Sequence, residues 1–372
     1  MRHLLLALFL SVALIGCSDQ GGGPDKQTAE DIRVGRGVAD RECKACHGLD
    51  GKGVAPGIPN LAGQRGRYIM AALQEYKESR RIHAALRTIA TDLSDDQTRG
   101  VAAFYASLTP IAAPKVNVFS PYDRGRVVAQ EQCASCHGMD GNSKTPGTPN
   151  LAGQQPRYFV AATQEYLMGT RASAPMDPML RKLSKLDLES VALYFASQTP
   201  AQRPAPSTGD AAAGEPRTAV CGGCHGSHGV SIDSATPSLA SEDPVYLTQA
   251  IKAYRTTRKH DLMQRLVKDL SDQEIANIVA FYTTQKSKPA EDGQHLLKEI
   301  TDKCNRCHAG DINNPALAIP IINAQDKDYL VLALRAYRDG KRGNSLMHNM
   351  SVPYGDAIIE SIASYYASLA AK

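Results

Sequence analysis

Cys43-Lys44-Ala45-Cys46-His47, Cys133-Ala134-Ser135-Cys136-His137, Cys221-Gly222-Gly223-Cys224-His225 and Cys304-Asn305-Arg306-Cys307-His308 are four copies of one pattern, Cys-x-x-Cys-His. Positions i, i+3 and i+4 share one face of a helical turn. Two thiols can therefore bond the two vinyl groups of a haem while the adjacent imidazole reaches its iron. This spacing reads as c-type haem attachment. A redox disulfide or a zinc site would also account for paired cysteines, but neither requires a His directly after the second Cys. The pattern assigns eight cysteines to thioether bonds, His47, His137, His225 and His308 to iron, and four covalently bound haem c groups to the chain.

The repetition extends well beyond the motif. Twelve residues after each His stands a Pro: Pro59, Pro149, Pro237 and Pro320. Two residues on come Leu61, Leu151, Leu239 and Ile322, then a Tyr seven later (Tyr68, Tyr158, Tyr246, Tyr329) and another at fifteen (Tyr76, Tyr166, Tyr254, Tyr337). Counted between first cysteines the period is 90, 88 and 83 residues, too long for a solenoid repeat and right for a small self-contained domain. Each repeat closes with a helical pattern, Leu93 to Leu108, Leu183 to Gln198, Leu270 to Gln285 and Tyr354 to Leu369. In the first three a Ser follows the opening Leu as N-cap. An aromatic pair recurs at fixed depth, Phe104-Tyr105, Tyr194-Phe195, Phe281-Tyr282 and Tyr365-Tyr366, and is expected to pack against the first helix and the haem edge.

Composition suits small domains built around a cofactor. Of 372 residues, 42% are hydrophobic and 22% charged, which excludes a disordered or fibrous chain. Aromatics make up only 6% and Trp is absent, so a planar cofactor would have to supply part of each core. The net charge of +4 is weak, and four haems would add about eight propionate charges and leave the holoprotein acidic. Nucleic acid is therefore not an expected partner.

The N-terminus reads as a processing segment. A charged start, Met1-Arg2-His3, precedes an apolar run from Leu4 to Ile15 that is short for a membrane span. It ends in Leu14-Ile15-Gly16-Cys17, which resembles the bacterial lipobox, and Cys17 is the ninth cysteine left over after four pairs. The alternative is a thiol buried in an apolar stretch. The expectation is a lipoprotein signal peptide at 1–16 and an acylated Cys17 opening a flexible tether at 17–30. A bacterial periplasmic or cell-surface protein held at a lipid membrane follows.

With these residues in hand, each repeat resembles a class I cytochrome c domain, and the first two resemble the tandem dihaem cytochromes of the c-four type. Pro-Asn-Leu-Ala-Gly-Gln at 59–64 and 149–154, with Leu-Ser before the last helix, carries the likeness. The resemblance covers nearly everything from residue 31 onward. It implies an all-α chain of four tandem small class I domains, each around one covalently bound haem, at 31–112, 113–202, 203–287 and 288–372. It also implies that the carbonyls of Pro59, Pro149, Pro237 and Pro320 accept a hydrogen bond from the proximal imidazole, where a plain turn proline is the other reading. A Met before the last helix is the sixth iron ligand in that family. Seven residues before each helix-opening residue stand Met176, Met263 and Met347, which lie 39, 38 and 39 residues after their His, with Met179 and Met350 as alternatives.

Departures from the pattern carry their own expectations. Repeat 3 lacks the Gly-Gln after its Leu-Ala, and Pro216 should shorten its first helix. Thr199 to Asp210, with Pro200, Pro204 and Pro206, reads as a linker between two dihaem halves, 31–202 and 203–372. In repeat 1 the ligand position holds Leu86, 39 residues after His47. His83, Met70 or an open iron are the alternatives there.

His/Met ligation fills both axial sites and lets iron change charge without binding a substrate. The favoured function is electron transfer between redox proteins, such as a membrane quinol-oxidising complex, a terminal oxidase or reductase, or other cytochromes. The alternative is a haem enzyme in which haem 1 binds or converts a small molecule while haems 2–4 relay electrons. A purely structural module has no feature in its favour.

Overall fold

The structure is a computed structural model, and it describes residues 26–171, 173, 175–291, 296–309, 318–343 and 345–371. The expected leader at 1–16, Cys17 and the tether as far as residue 25 lie outside the described residues. The described residues are helical and contain no strand, only an isolated antiparallel bridge between Arg81 and Arg342.

Each repeat lays a first helix, which ends in the Cys-x-x-Cys-His turn, across a last helix. In repeat 1 these are Lys26–Val38, continued through a wider turn at Ala39–Cys43 into Lys44–His47, and Asp95–Ser107. Repeat 2 repeats the plan with Pro121–Val128, Ala129–Cys133, Ala134–His137 and Lys185–Ala196. In repeat 4 one unbroken helix, Leu296–His308, meets Asp356–Ser368. Repeat 3 is cut as Pro216 dictates: helix Ala211–Gly214, which lies against Asp272–Thr284, a tight turn Glu215–Thr218, then helix Ala219–His225.

In repeats 1–3 the crossings are close because glycine sits in them. A Cβ placed on Gly35 would fall 1.9 Å from the carbonyl oxygen of Gly100, and one on Gly125 or Gly214 would fall 2.2 or 2.1 Å from those of Ser190 or Asn277. Ser94, Ser184 and Ser271 cap the last helices of repeats 1–3 and form capping boxes with Gln97, Asp187 and Glu274. Gly355 opens the fourth without a side chain to offer. There the carboxylate of Glu189, from repeat 2, accepts the Ala357 N–H at 2.8 Å.

Around each crossing lies one apolar core. The aromatic pairs are in it, with ring centroids 5.0–5.3 Å apart. Tyr105, Phe195, Tyr282 and Tyr366 are almost wholly buried, and the first cysteine of each motif borders or joins the same cluster. Truncating such an aromatic to Ala costs ~3–5 kcal/mol.

The expected pairing of neighbouring repeats, 31–202 with each other and 203–372 with each other, is not the one found. The loop after Pro149 bonds the loop after Pro237: Asn150 N–H donates to Glu242 Oε1 at 2.7 Å, Gln154 Nε2 to the Ser238 carbonyl at 3.0 Å, and Ser238 N–H back to Gln154 Oε1 at 2.8 Å. The loop after Pro59 makes the same set with the loop after Pro320: Asn60 N–H to Gln325 Oε1 at 2.6 Å, Gln64 Nε2 to the Ile321 carbonyl at 2.9 Å and Ile321 N–H to Gln64 Oε1 at 2.9 Å. Repeat 2 is thus joined to 3, and repeat 1 to 4. A third contact ties repeats 2 and 4, where Lys185 pairs with Asp356 at 3.0 Å and Leu193 enters the repeat 4 core.

Charge counts against pairing each repeat with its chain neighbour. Each junction sets two arginines among tyrosines, three of the four buried and Arg258 half-buried: Arg81 and Arg342 with Tyr68, Tyr76 and Tyr337, and Arg171 and Arg258 with Tyr158, Tyr166, Tyr246 and Tyr254. Arg81 pairs with Glu75, and Arg171 with Glu165 at 3.0 Å. Repeats 3 and 4 carry Ala253 and Ala336 where those glutamates stand. Joining 3 to 4 would bury two guanidiniums with no carboxylate, whereas the observed pairing gives each junction one.

Candidate haem centres

In every repeat the proximal imidazole is held in one orientation. His47 Nδ1 lies 3.0 Å from the carbonyl oxygen of Pro59, His137 Nδ1 3.0 Å from that of Pro149, His225 Nδ1 2.8 Å from that of Pro237, and His308 Nδ1 3.0 Å from that of Pro320. A carbonyl can only accept, so Nδ1 carries the proton and the lone pair stands on Nε2, the atom a metal would take. Burial lowers the pKa of all four rings, which favours the neutral form, although the Pro carbonyl pulls the other way.

The cysteines divide into an inner and an outer member. Cys43, Cys133, Cys221 and Cys304 face the cores, and burial pushes the Cys43 thiol up to about 11 and that of Cys133 up to about 12. Cys46, Cys136 and Cys224 are exposed and Cys307 is half-buried. None of the eight is in a disulfide. Two thiols and an Nε2 on one helical turn are the donor set that a covalently attached haem requires, so the residues fit that group.

Of the candidate second ligands, Met263 lies in the short helix Asp261–Val267 and packs, like Cys221, on the core that includes Tyr282. Met176 opens the helix Met176–Leu180, and Met347 lies in Ser345–Ser351. All three are half-buried, as are Met179 and Met350. Leu86 is half-buried in the helix Ala84–Asp92. His83 caps that helix, with Nδ1 accepting the Leu86 N–H at 3.2 Å. Met70 packs on the repeat 1 core.

Sequence reasoning missed the junction arginines. Their signal was present, since Arg81, Arg171 and Arg342 follow the second tyrosine by five residues and Arg258 by four. The tyrosine spacing alone does not say that these rings face another repeat.

Comparison with known proteins agrees with this geometry. The family model described as Cytochrome c matches residues 32–109 and 122–197. Cytochrome c4 of Pseudomonas aeruginosa is 30% identical over 206 residues, covering 52% of this chain and 98% of that protein. A thiosulfate dehydrogenase electron acceptor of Stutzerimonas stutzeri is 30% identical, covering 44% of this chain and 82% of that one. Among solved structures, reduced recombinant cytochrome c4 from Pseudomonas stutzeri is 27% identical over 45% of this chain and 99% of its own, with a TM-score of 0.40. The attachment motifs, their helical setting and a relative matched over nearly its whole length lead to one conclusion: this chain belongs to the class I c-type cytochromes, in the cytochrome c4-like dihaem family of electron carriers with covalently bound haem c.

Proposed function

We propose that the chain is a tetrahaem electron carrier, exported and anchored to a bacterial membrane through acylated Cys17, with its haems in two couples, 1 with 4 and 2 with 3. The observation that carries the reading is the fourfold recurrence of one proximal geometry. The third and fourth repeats hold their imidazoles at 2.8 and 3.0 Å from a Pro carbonyl, as the first two do at 3.0 Å. A bound haem supplies a one-electron iron couple. His47, His137, His225 and His308 would supply the proximal nitrogens, the four prolines fix their tautomer and ring plane, and Met176, Met263 and Met347 would be the second ligands of haems 2, 3 and 4.

The junctions bring proximal loops of different repeats into direct contact, which supports electron exchange within each couple, and the repeat 2–repeat 4 contact links the couples. Among the described residues no helix is long and apolar enough to cross a membrane. The partners are redox proteins. A quinol-oxidising complex or another cytochrome suits the donor side, to which relatives named thiosulfate dehydrogenase electron acceptors add a sulfur-oxidising dehydrogenase. A terminal oxidase or reductase suits the acceptor side.

One variant tests anchor and haem count together. Cys17→Ser should move the protein from the membrane to the soluble fraction, and its intact mass should show four haem additions. Retention in the membrane would refute the anchor, and three or fewer haems would refute the one-repeat, one-haem reading.

A further inference from the structure

Repeats 1 and 3 are built alike where an axial ligand would come from, and they differ in one side chain. Leu86 and Met263 are each the third residue of a short helix whose N-cap is a histidine. His83 Nδ1 accepts the Leu86 N–H at 3.2 Å, and His260 Nδ1 accepts the Met263 N–H at 3.3 Å. Each cap ring meets a tyrosine edge-on with centroids 6.3 Å apart, Tyr76 at 78° and Tyr254 at 77°. The slot that holds a thioether in repeat 3 therefore holds an isobutyl group in repeat 1, and Leu offers iron no donor atom.

His83 does not make good the loss. A neutral imidazole that accepts at Nδ1 has its proton on Nε2, which leaves neither nitrogen with a free lone pair. Binding iron through Nε2 would move that proton to Nδ1, turn an acceptor into a donor facing the Leu86 N–H, and undo the cap. Capping and ligation are thus exclusive for this ring, and His260 makes the same cap beside a Met. Met70 stands on the helix Gly66–Lys77 and packs on the repeat 1 core, at the place Val160 fills in repeat 2.

We propose that the haem of repeat 1 keeps one axial position open and is a binding site for a small neutral or anionic ligand with a single donor atom, such as a diatomic gas or cyanide, with Leu86 as its apolar wall. The inference rests on the four-haem reading and gives one of those haems a second capability, ligand binding beside electron transfer. Repeat 1 is joined to repeat 4 through Asn60, Gln64 and Arg65, so occupancy of this site is felt first by the haem 1–haem 4 couple.

Carbon monoxide titration of the fully reduced holoprotein, with haem counted separately by peptide mass, tests the proposal. Uptake should be one CO per chain, at a haem that is high-spin in the ferric state. Leu86→Met, which conserves volume, should abolish both CO uptake and the high-spin signal. His83→Asn, which keeps a capping side chain, should leave CO uptake unchanged. No CO uptake by a chain carrying four haems would overturn the inference while leaving the carrier reading intact. Uptake that appears only in His83→Asn would overturn it in favour of His83 as ligand. Absence of haem from the peptide bearing Cys43 and Cys46 would overturn both readings.

Discussion

Glu242 shows how one atom can decide the behaviour of a buried contact. Its counterpart at the other junction is Gln325, whose Oε1 accepts the N–H groups of Asn60 and Asp326 at 2.6 and 2.9 Å while its Nε2 donates to the Asn60 carbonyl at 2.9 Å. Glu242 Oε1 accepts from Asn150 and Asp243 at 2.7 and 2.6 Å. Only a protonated carboxyl can also donate from its second oxygen, as the amide of Gln325 does. Burial accordingly pushes the Glu242 carboxyl from 4.5 up to about 8, against the two backbone N–H bonds. A raised folded-state pKa makes stability greatest below 4.5 and erodes it as pH rises toward 8. Glu242→Gln, which supplies the donor at every pH, should remove that erosion. The variant should gain on the order of 1–3 kcal/mol over the parent at pH 8 and little at pH 4.5, read from paired denaturation curves. Equal gain at both pH values would show that the residue is ionised in the fold.

At the scale of elements, the helix crossings of repeats 1–3 depend on the absence of a side chain. Gly35 and Gly37 lie two residues apart on the helix Lys26–Val38, yet a methyl group at 35 would strike the Gly100 carbonyl at 1.9 Å, while at 37 it would meet only the end of the Arg41 side chain at 3.7 Å. Gly35→Ala should force the helices of repeat 1 apart and cost ~1–3 kcal/mol or more. Gly37→Ala should stabilise by ~0.5–1 kcal/mol through helix propensity alone. Thermal unfolding of the two variants, followed by haem absorbance, should move in opposite directions. A common direction would mean that the crossing relaxes at no cost. The fourth last helix makes a related point, since its first turn is completed by Glu189 of another repeat, and no local signal could show that.

For the whole molecule, the consequence is an order of contacts that differs from the order of the chain. Gln64→Ala removes the acceptor of the Ile321 N–H and the donor to the Ile321 carbonyl, which should cost ~1–3 kcal/mol at the repeat 1–repeat 4 junction. Amide exchange at Ile321 should speed up markedly, with Ser238, the matching residue of the other junction, unchanged. Faster exchange in the loop after Pro149 instead would show that repeats 1 and 2 are the true pair.

Much of this protein was legible in its sequence because the deciding interactions are local. Two thiols and an imidazole on one helical turn, a Pro carbonyl twelve residues on and a Ser before a helix depend on spacing along the chain, which any repeat carries within itself. The break at Pro216 is equally local. The same local spacing showed that Leu86 departs from the other repeats. What His83 does there came only from the fold, since whether an imidazole caps a helix or binds iron depends on which ring nitrogen has a neighbour. The pairing of repeats was likewise decided by tertiary structure alone. Four related loops can pair in several ways, and pairing neighbours, 1 with 2 and 3 with 4, would place both Glu75 and Glu165 at one junction and no such carboxylate at the other, a balance of buried charge that exists only once distant segments have come together.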